Sequence, residues 1–221
     1  MPAVLSTKKL KENQRSLLLN ADVSLVDYNA IKIEIVPFEI SSSIENAIFT
    51  SQNAVNAVMG SEFGVRNCFC VGEKTKLLLE ENGQKVIKMA EYASALADYL
   101  VKNNKNDSFQ FFCGNIRSDE IPSKLKQNNI AFEEIEVYKT TLNLKKFERQ
   151  FDAVLFFSPS GVRSYFEANS FSKVLNSGRL AVCIGTTTAS EAKKYTENVV
   201  MSNATTVESV IAKTVKSINS L

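Results

Sequence analysis

The sequence predicts an α/β fold of two lobes, each a parallel sheet flanked by helices, with one discontinuous domain and a two-stranded linker between the lobes. Three observations carry this expectation. Short apolar runs that stop at a Ser, Thr, Gly or Asn corner and pass straight into a helical pattern recur along the chain, the rhythm of parallel sheets. Two longer runs, residues 31–38 (IKIEIVPF) and 130–138 (IAFEEIEVY), alternate or stay extended without a helix following, and read as a ribbon that leaves one lobe and returns. The units between these runs are of the same kind as those outside them. The expected organisation is therefore 1–30 with 144–221 as a discontinuous domain, 38–134 as an inserted domain, and 31–37 with 135–143 as the linker.

In order, residues 3–5 form an apolar run before Ser6-Thr7, and Leu10, Gln14, Leu17 and Leu18 mark a helical stripe up to Asn20. A strand at 23–28 precedes the first ribbon, which Pro37 breaks. Ala47-Ile48-Phe49 ends at Thr50-Ser51-Gln52-Asn53, ahead of a helix bearing Val55, Val58 and Met59. Residues 67–71 end at Gly72, and the helix that follows stops at Asn82-Gly83, a favourable C-terminus. Residues 89–102 place Tyr92, Leu96, Tyr99 and Leu100 along one side and predict a single helix. Residues 109–113 end at Gly114-Asn115 before a helix with Ile121 and Leu125. After the second ribbon, 151–157 stops abruptly at Ser158-Pro159-Ser160-Gly161, and Val162, Tyr165 and Phe166 share one helix face. Residues 180–184 end at Gly185-Thr186-Thr187-Thr188, and 199–201 at Ser202 to Thr206. Thr188 with Glu191, and Thr205 with Glu208, have capping-box spacing. Val207, Val210, Ile211, Val215 and Ile218 give the last helix.

Composition narrows the function. At 221 residues with 44% apolar content the chain can bury a substantial core. Lys plus Arg is 26 against 24 for Asp plus Glu, so a net charge of +2 provides no basic stripe for nucleic acid. No apolar stretch approaches a membrane span and no signal-peptide core is present, which predicts a cytoplasmic protein without a membrane partner. Cys68, Cys70, Cys113 and Cys183 lie in apolar runs and read as reduced packing residues. Cys68-Phe69-Cys70 lacks the gap and the second ligand pair of a zinc site, so no metal is expected. The chain has no histidine, which removes Ser-His-Asp and Cys-His nucleophiles together with the commonest general base. Neither dinucleotide nor phosphate-loop glycine fingerprints occur. Glu133, Glu134 and Glu136 read as a solvated strand face.

What remains is the row of small polar corners. In parallel sheets they gather at the carboxyl ends of the strands, where the amides opening each helix favour anions. Two such rims facing each other would line a cleft suited to a ligand with several carboxylates or phosphates. Lys74, Arg117 and Arg163 are expected in the first helical turns after their corners, within reach of an anion or solvated at the surface. Tyr138 ends the second ribbon, where a phenol packs or donates a hydrogen bond to a leaving oxygen.

Six pieces resemble the uroporphyrinogen-III synthase family in order and spacing: FTSQNAV at 49–55, Val71-Gly72, FFCGNIR at 111–117, VYKT at 137–140, FFSPSGV at 156–162 and IGTTTA at 184–189. SNATTVESV near the C-terminus also fits, so the resemblance covers nearly the whole chain. It implies the same bilobal fold and a cofactor-independent cyclising lyase of heme biosynthesis. The substrate so implied is the linear tetrapyrrole hydroxymethylbilane, with eight carboxylates, which loses water and closes with inversion of its last pyrrole to uroporphyrinogen III. Tyr138 of VYKT matches the family tyrosine near the departing hydroxyl, in an assisting and not essential role. Thr50, Ser51, Ser158, Ser160, Gly161, Thr187 and Thr188 match residues that bind substrate carboxylates, and Gly72, Gly114 and Asn115 complete the expected substrate-binding set. Gln52-Asn53 stands where Pro-Arg is frequent, and Thr186 replaces a frequent Pro. A monomer is expected, with lobes that move relative to each other because only two strands join them. Read from residues alone, a non-catalytic bilobal protein that binds an anionic small molecule is the alternative.

Overall fold

The computed structural model describes residues 1–40, 43–59, 64–169 and 179–219. From the N-terminus run β1 (Ala3–Ser6), α1 (Glu12–Leu19), β2 (Ser24–Asp27), β3 (Ile31–Ile35), β4 (Ser43–Phe49), α2 (Gln52–Val58), β5 (Gly64–Val71), α3 (Glu73–Glu81), β6 (Val86–Ala90), α4 (Ala93–Asn103), β7 (Ser108–Gly114) and α5 (Glu120–Gln127). The chain continues through β8 (Ala131–Leu142), β9 (Ala153–Phe156), α6 (Pro159–Ala168), β10 (Leu180–Cys183), α7 (Thr186–Ala192), β11 (Val199–Met201) and α8 (Val207–Ile218). It divides into two compact units: Met1–Lys32 with Thr141–Leu221, and Ile33–Thr140. The first is therefore discontinuous in sequence.

The discontinuous unit holds a five-stranded sheet in the order β11-β10-β9-β1-β2. Every pairing is parallel. All residues of β1 and β9 are buried, as central parallel strands covered on both faces require. Leu5, Phe156, Val162, Tyr165 and Phe166 pack on one face. Val4, Leu18, Leu155, Val182, Val210 and Ile211 pack on the other. Each large apolar side chain so buried contributes about 1.5–3 kcal/mol relative to exposure.

The inserted unit holds a six-stranded sheet ordered β3-β8-β7-β4-β5-β6. Strands β4 to β8 run parallel. The edge strand β3 runs the other way: Asn143 N–H bonds Ala30 O and Val36 N–H bonds Val137 O, so one index rises as the other falls. Ile48, Phe69, Phe111, Leu96, Leu100 and Ile121 form the core on one face. Phe49, Phe112, Val55, Val58, Leu79 and Val137 form it on the other, with the Phe49 and Phe112 rings stacked at 5.2 Å. Strand β8 pairs with β7 as far as Tyr138, so residues 135–138 extend this sheet as well as leading out of it.

Three local expectations are corrected. Residues 89–102 are not one helix. Val86–Ala90 is the edge strand β6, in register with β5 from Cys68↔Val86 to Val71↔Ala90, and α4 starts only at Ala93. An edge strand that carries Lys88 and directly follows Lys85 mixes polar and apolar residues and so mimics a helical pattern. Leu17 lies outside the α1 stripe and is exposed, while Gln14 and Leu18 are buried. Neither capping box forms as spaced. Ile184 N–H still bonds Phe156 O in the sheet ladder, so the chain first turns at Gly185, which caps α7. At α8 the cap is Thr206, whose hydroxyl accepts from Ser209 N–H at 3.1 Å.

Candidate active site

Each sheet has one place where the winding reverses. In the discontinuous unit the chain moves from β1 outward to β2, and from β9 the opposite way to β10 and β11. In the inserted unit it moves from β4 to β5 and β6, and from β7 to β8. Loops at such a switch leave to opposite faces and open a crevice at the carboxyl ends of the strands. The switch between β1 and β9 is flanked by Ser6-Thr7-Lys8 and Ser158–Gly161. The switch between β4 and β7 is flanked by Thr50-Ser51 and Gly114-Asn115.

At the first switch, Ser158 caps α6: its hydroxyl accepts from Gly161 N–H at 3.1 Å, and Val162 N–H bonds Ser158 O. Pro159 has no N–H, so among the opening amides only that of Ser160 lacks an intrahelical acceptor. The buried Ser160 hydroxyl accepts from Arg163 Nη2 at 3.1 Å. A Cβ at Gly161 would stand 3.4 Å from Thr7 Oγ1 and 3.3 Å from Ser158 Oγ, so glycine lets α6 close on the β1 corner. Thr7 is fixed there by hydroxyl and amide bonds to Leu155 O, at 2.7 and 3.1 Å. Lys8, next to it, is exposed. Thr7 and Lys8 were not singled out from sequence; the apolar run of β1 ending at Ser6-Thr7 was the available signal, and strand order is what gives it meaning.

The α7 corner is different in kind. Its cap, Gly185, has no side chain to engage the opening amides, so those of Thr186, Thr187 and Thr188 all lack an intrahelical acceptor. Thr187 is exposed and Thr188 buried. This corner offers three backbone donors to an anion. Arg163 is in the second turn of α6, not the first, and lies 3.6 Å from the Glu191 carboxylate on α7, which Lys194 also binds at 2.7 Å. Arg163 and Lys194 together compensate the buried Glu191 carboxylate, and the Arg163 pair links α6 to α7.

In the inserted unit, Ser51 caps α2 by accepting from Asn53 N–H at 3.1 Å, which uses its hydroxyl; Thr50 beside it is half-buried. Gly72 has φ +84°, a conformation other residues rarely adopt, and caps α3 without a side chain. Lys74, in the first turn of α3, is exposed. Arg117 is not in a helix: it sits in the loop before α5 and is held by Asp119 at 2.8 Å and by Glu134. Two acidic neighbours claim it. Tyr138 is 6% exposed. Its ring covers Gly114, and Asn115 bonds the strand on its far side: Oδ1 accepts from Thr140 N–H at 2.8 Å and Nδ2 donates to Thr140 O at 3.2 Å.

The four cysteines are buried and unpaired with one another. Burial pushes Cys68 up to about 12, Cys70 to about 11 and Cys183 to about 12. These thiols stay neutral and serve as packing. Among the described residues, no group of three or more His, Cys, Asp or Glu is placed to hold a metal ion, and no helix is long and apolar enough to cross a membrane.

The family pattern described as uroporphyrinogen-III synthase HemD matches residues 18–212. The chain belongs to that family. The porphyrin biosynthesis protein HemD of Ruminiclostridium josui is 28% identical over 158 residues, a match that takes in 65% of this chain and 30% of that protein's length. The chain thus spans about a third of the length of this curated relative. Uroporphyrinogen-III synthetase from Helicobacter pylori superposes with a TM-score of 0.71 at 15% identity, covering 98% of this chain and 99% of that one. A mutant uroporphyrinogen III synthase from the extremely thermophilic bacterium Thermus thermophilus gives 0.70 at 13% identity, with 100% of both chains covered. The fold of these uroporphyrinogen-III synthases is shared over the full chain. Within this family member, Thr7 falls outside the matched residues, and only the order of the strands brings it against Gly161.

Proposed function

We propose that the chain is a uroporphyrinogen-III synthase, which takes hydroxymethylbilane, removes its hydroxyl as water and closes the ring with inversion of the last pyrrole. The observation that carries this reading is the family match from 18 to 212, which takes in the corners of both units and the VYKT strand. The electron-rich pyrroles of such a substrate expel water by themselves, giving an azafulvene. The protein's part is then geometric: to bring that cation to the substituted carbon of the last ring, so that a spiro intermediate forms, fragments and recloses. Position and preset dipoles supply such selectivity without a strong acid or base. That agrees with a chain lacking histidine and holding its thiols neutral.

In this reading the α7 amides of Thr186 to Thr188, with the Thr187 hydroxyl, take substrate carboxylates in the discontinuous unit. Ser158, Ser160 and Gly161 contribute chiefly through the Ser160 amide, since the serine hydroxyls already serve the helix and Arg163. Thr50, Ser51 and Gly72 are the corresponding groups of the inserted unit. Tyr138 assists by donating its phenol hydrogen to the departing oxygen. We further read the protein as a cytoplasmic monomer acting on a free small molecule, without nucleic acid, membrane or cofactor. Incubation with freshly prepared hydroxymethylbilane followed by separation of the uroporphyrin isomers tests the proposal. Isomer III is expected in excess; isomer I alone, at the spontaneous rate, overturns it.

A further inference from the structure

We propose that Gly114 and Asn115 are positioning residues for Tyr138, and not contacts for substrate. The inference rests on the synthase reading above and assigns a part of the same site. Strands β7 and β8 pair Cys113 with Glu136, but the next pair is Gly114 with Tyr138, so Val137 is an extra residue on β8. Such a bulge turns a side chain away from its alternating face. Its effect is visible in the packing: Ile135, Val137 and Tyr138 all enter one core cluster, although 137 and 138 are consecutive. In a regular strand, Tyr138 would point to the opposite face.

Three bonds hold the bulged strand in this register. Asn115 N–H bonds Tyr138 O at 3.3 Å, and the Asn115 carboxamide makes the two-way bond with the Thr140 backbone. The side chain of Asn115 thereby continues the ladder of β7 for one more rung after the main chain has turned away. Gly114 supplies the room. A Cβ built on it would stand 2.5 Å from both Cε2 and Cζ of Tyr138, the end of the ring that bears the hydroxyl. Any side chain there displaces the phenol. Both polar groups of the Asn115 carboxamide are engaged by Thr140, which leaves Asn115 little to offer a carboxylate.

Kinetics with hydroxymethylbilane separate positioning from binding. Asn115→Ala, whose side chain is exposed and whose loss leaves the core intact, and Gly114→Ala are each made alone and in a Tyr138→Phe background. Thermal unfolding confirms that each variant is folded. The expected result is a fall in kcat with KM nearly constant for each single variant. That fall cannot exceed the loss on Tyr138→Phe, on the order of tenfold, and it vanishes when the hydroxyl is already gone. A raised KM, or losses that multiply with that of Tyr138→Phe, overturns the proposal. Wild-type kinetics in the Tyr138→Phe variant also overturn it, since there is then no hydroxyl to place. Failure of the synthase reading is recognised separately, by absence of isomer III from the unaltered protein.

Discussion

The ring of Tyr138 occupies the space in which a side chain at Gly114 would stand, with Cε2 and Cζ 2.5 Å from the position of a Cβ. The ring is also buried in the core beside Val137 and Phe112. A methyl group at 114 therefore has to push out a packed ring. Gly114→Ala is expected to cost about 1–3 kcal/mol of stability, the range for overpacking. In a Tyr138→Ala background that cost should largely disappear. Urea unfolding of the two single variants and the double variant measures the coupling, and additive losses would show that ring and glycine do not compete for space.

Ser158 spends its hydroxyl on Gly161 N–H. Ser158→Ala should lower stability by about 1 kcal/mol, and Ser158→Gly by only a few tenths. If the α6 corner acts through its backbone, Ser158→Gly should retain most isomer-III formation. A loss of turnover equal in both variants, with stability unchanged, would instead assign the hydroxyl to substrate.

Tyr28 is buried, and among the described residues its hydroxyl has no hydrogen-bond partner. Burial raises the phenol well above its ordinary value, with Tyr165 nearby adding to the effect. The ring makes an edge contact with Phe147 at 5.1 Å that phenylalanine would keep. Tyr28→Phe is accordingly expected to leave stability unchanged or raise it by up to about 1 kcal/mol, since an unsatisfied buried hydroxyl is removed. Calorimetry would reveal the opposite sign if the hydroxyl were bonded in solution.

Asp27 joins the end of β2 to the start of α1. Burial works to raise its pKa, but the Leu10 N–H at 3.0 Å and the Arg15 guanidinium at 2.7 Å outweigh it, and the carboxyl is held below its ordinary value of 3.8. A carboxylate depressed on folding contributes stability at pH values above its unfolded pKa and loses it as pH falls through the folded one. The contribution should thus be constant from neutral pH down to about 5 and decline below about 4. Asp27→Asn, expected to cost about 1–2 kcal/mol at pH 7, should cost progressively less in that acid range. Denaturant unfolding of both proteins at pH 7 and pH 3 compares them, and a pH-independent difference would contradict the account.

All four thiols are buried, three of them pushed up to about 11 or 12. Reaction with a disulfide reagent at pH 8 should be negligible in the native protein and release four equivalents on denaturation. Rapid native labelling of any cysteine would place it at an accessible position.

The strand-corner-helix units were legible because each is local: Val154, Leu155 and Phe156, then Ser158 and Pro159, then Val162, Tyr165 and Phe166, state strand, cap and helix face within fifteen residues. The out-and-back ribbon was legible from the alternation of residues 31–38 and the extended run at 130–138. The strand β6 was not, because Lys88 within this short edge strand breaks the apolar run that marked the inner ones. The polar corners were legible as a set, while the use of each was not. Ser51 and Ser158 look equally available in sequence, yet both hydroxyls close onto their own helices, whereas Gly185 leaves three amides open.

By itself, then, the sequence determined most of the element types, the two-unit plan, the family and the absence of histidine chemistry, since propensity, periodicity and composition act over short spans of chain. Only the tertiary structure decided which corners flank the switch points, that Thr7 stands against Gly161, that Arg117 and Arg163 are claimed by Glu134, Asp119 and Glu191, and that Gly114 and Asn115 surround Tyr138. Most of those relationships join residues far apart in the chain. They depend on strand order and on a single-residue bulge, which no local pattern of side chains records.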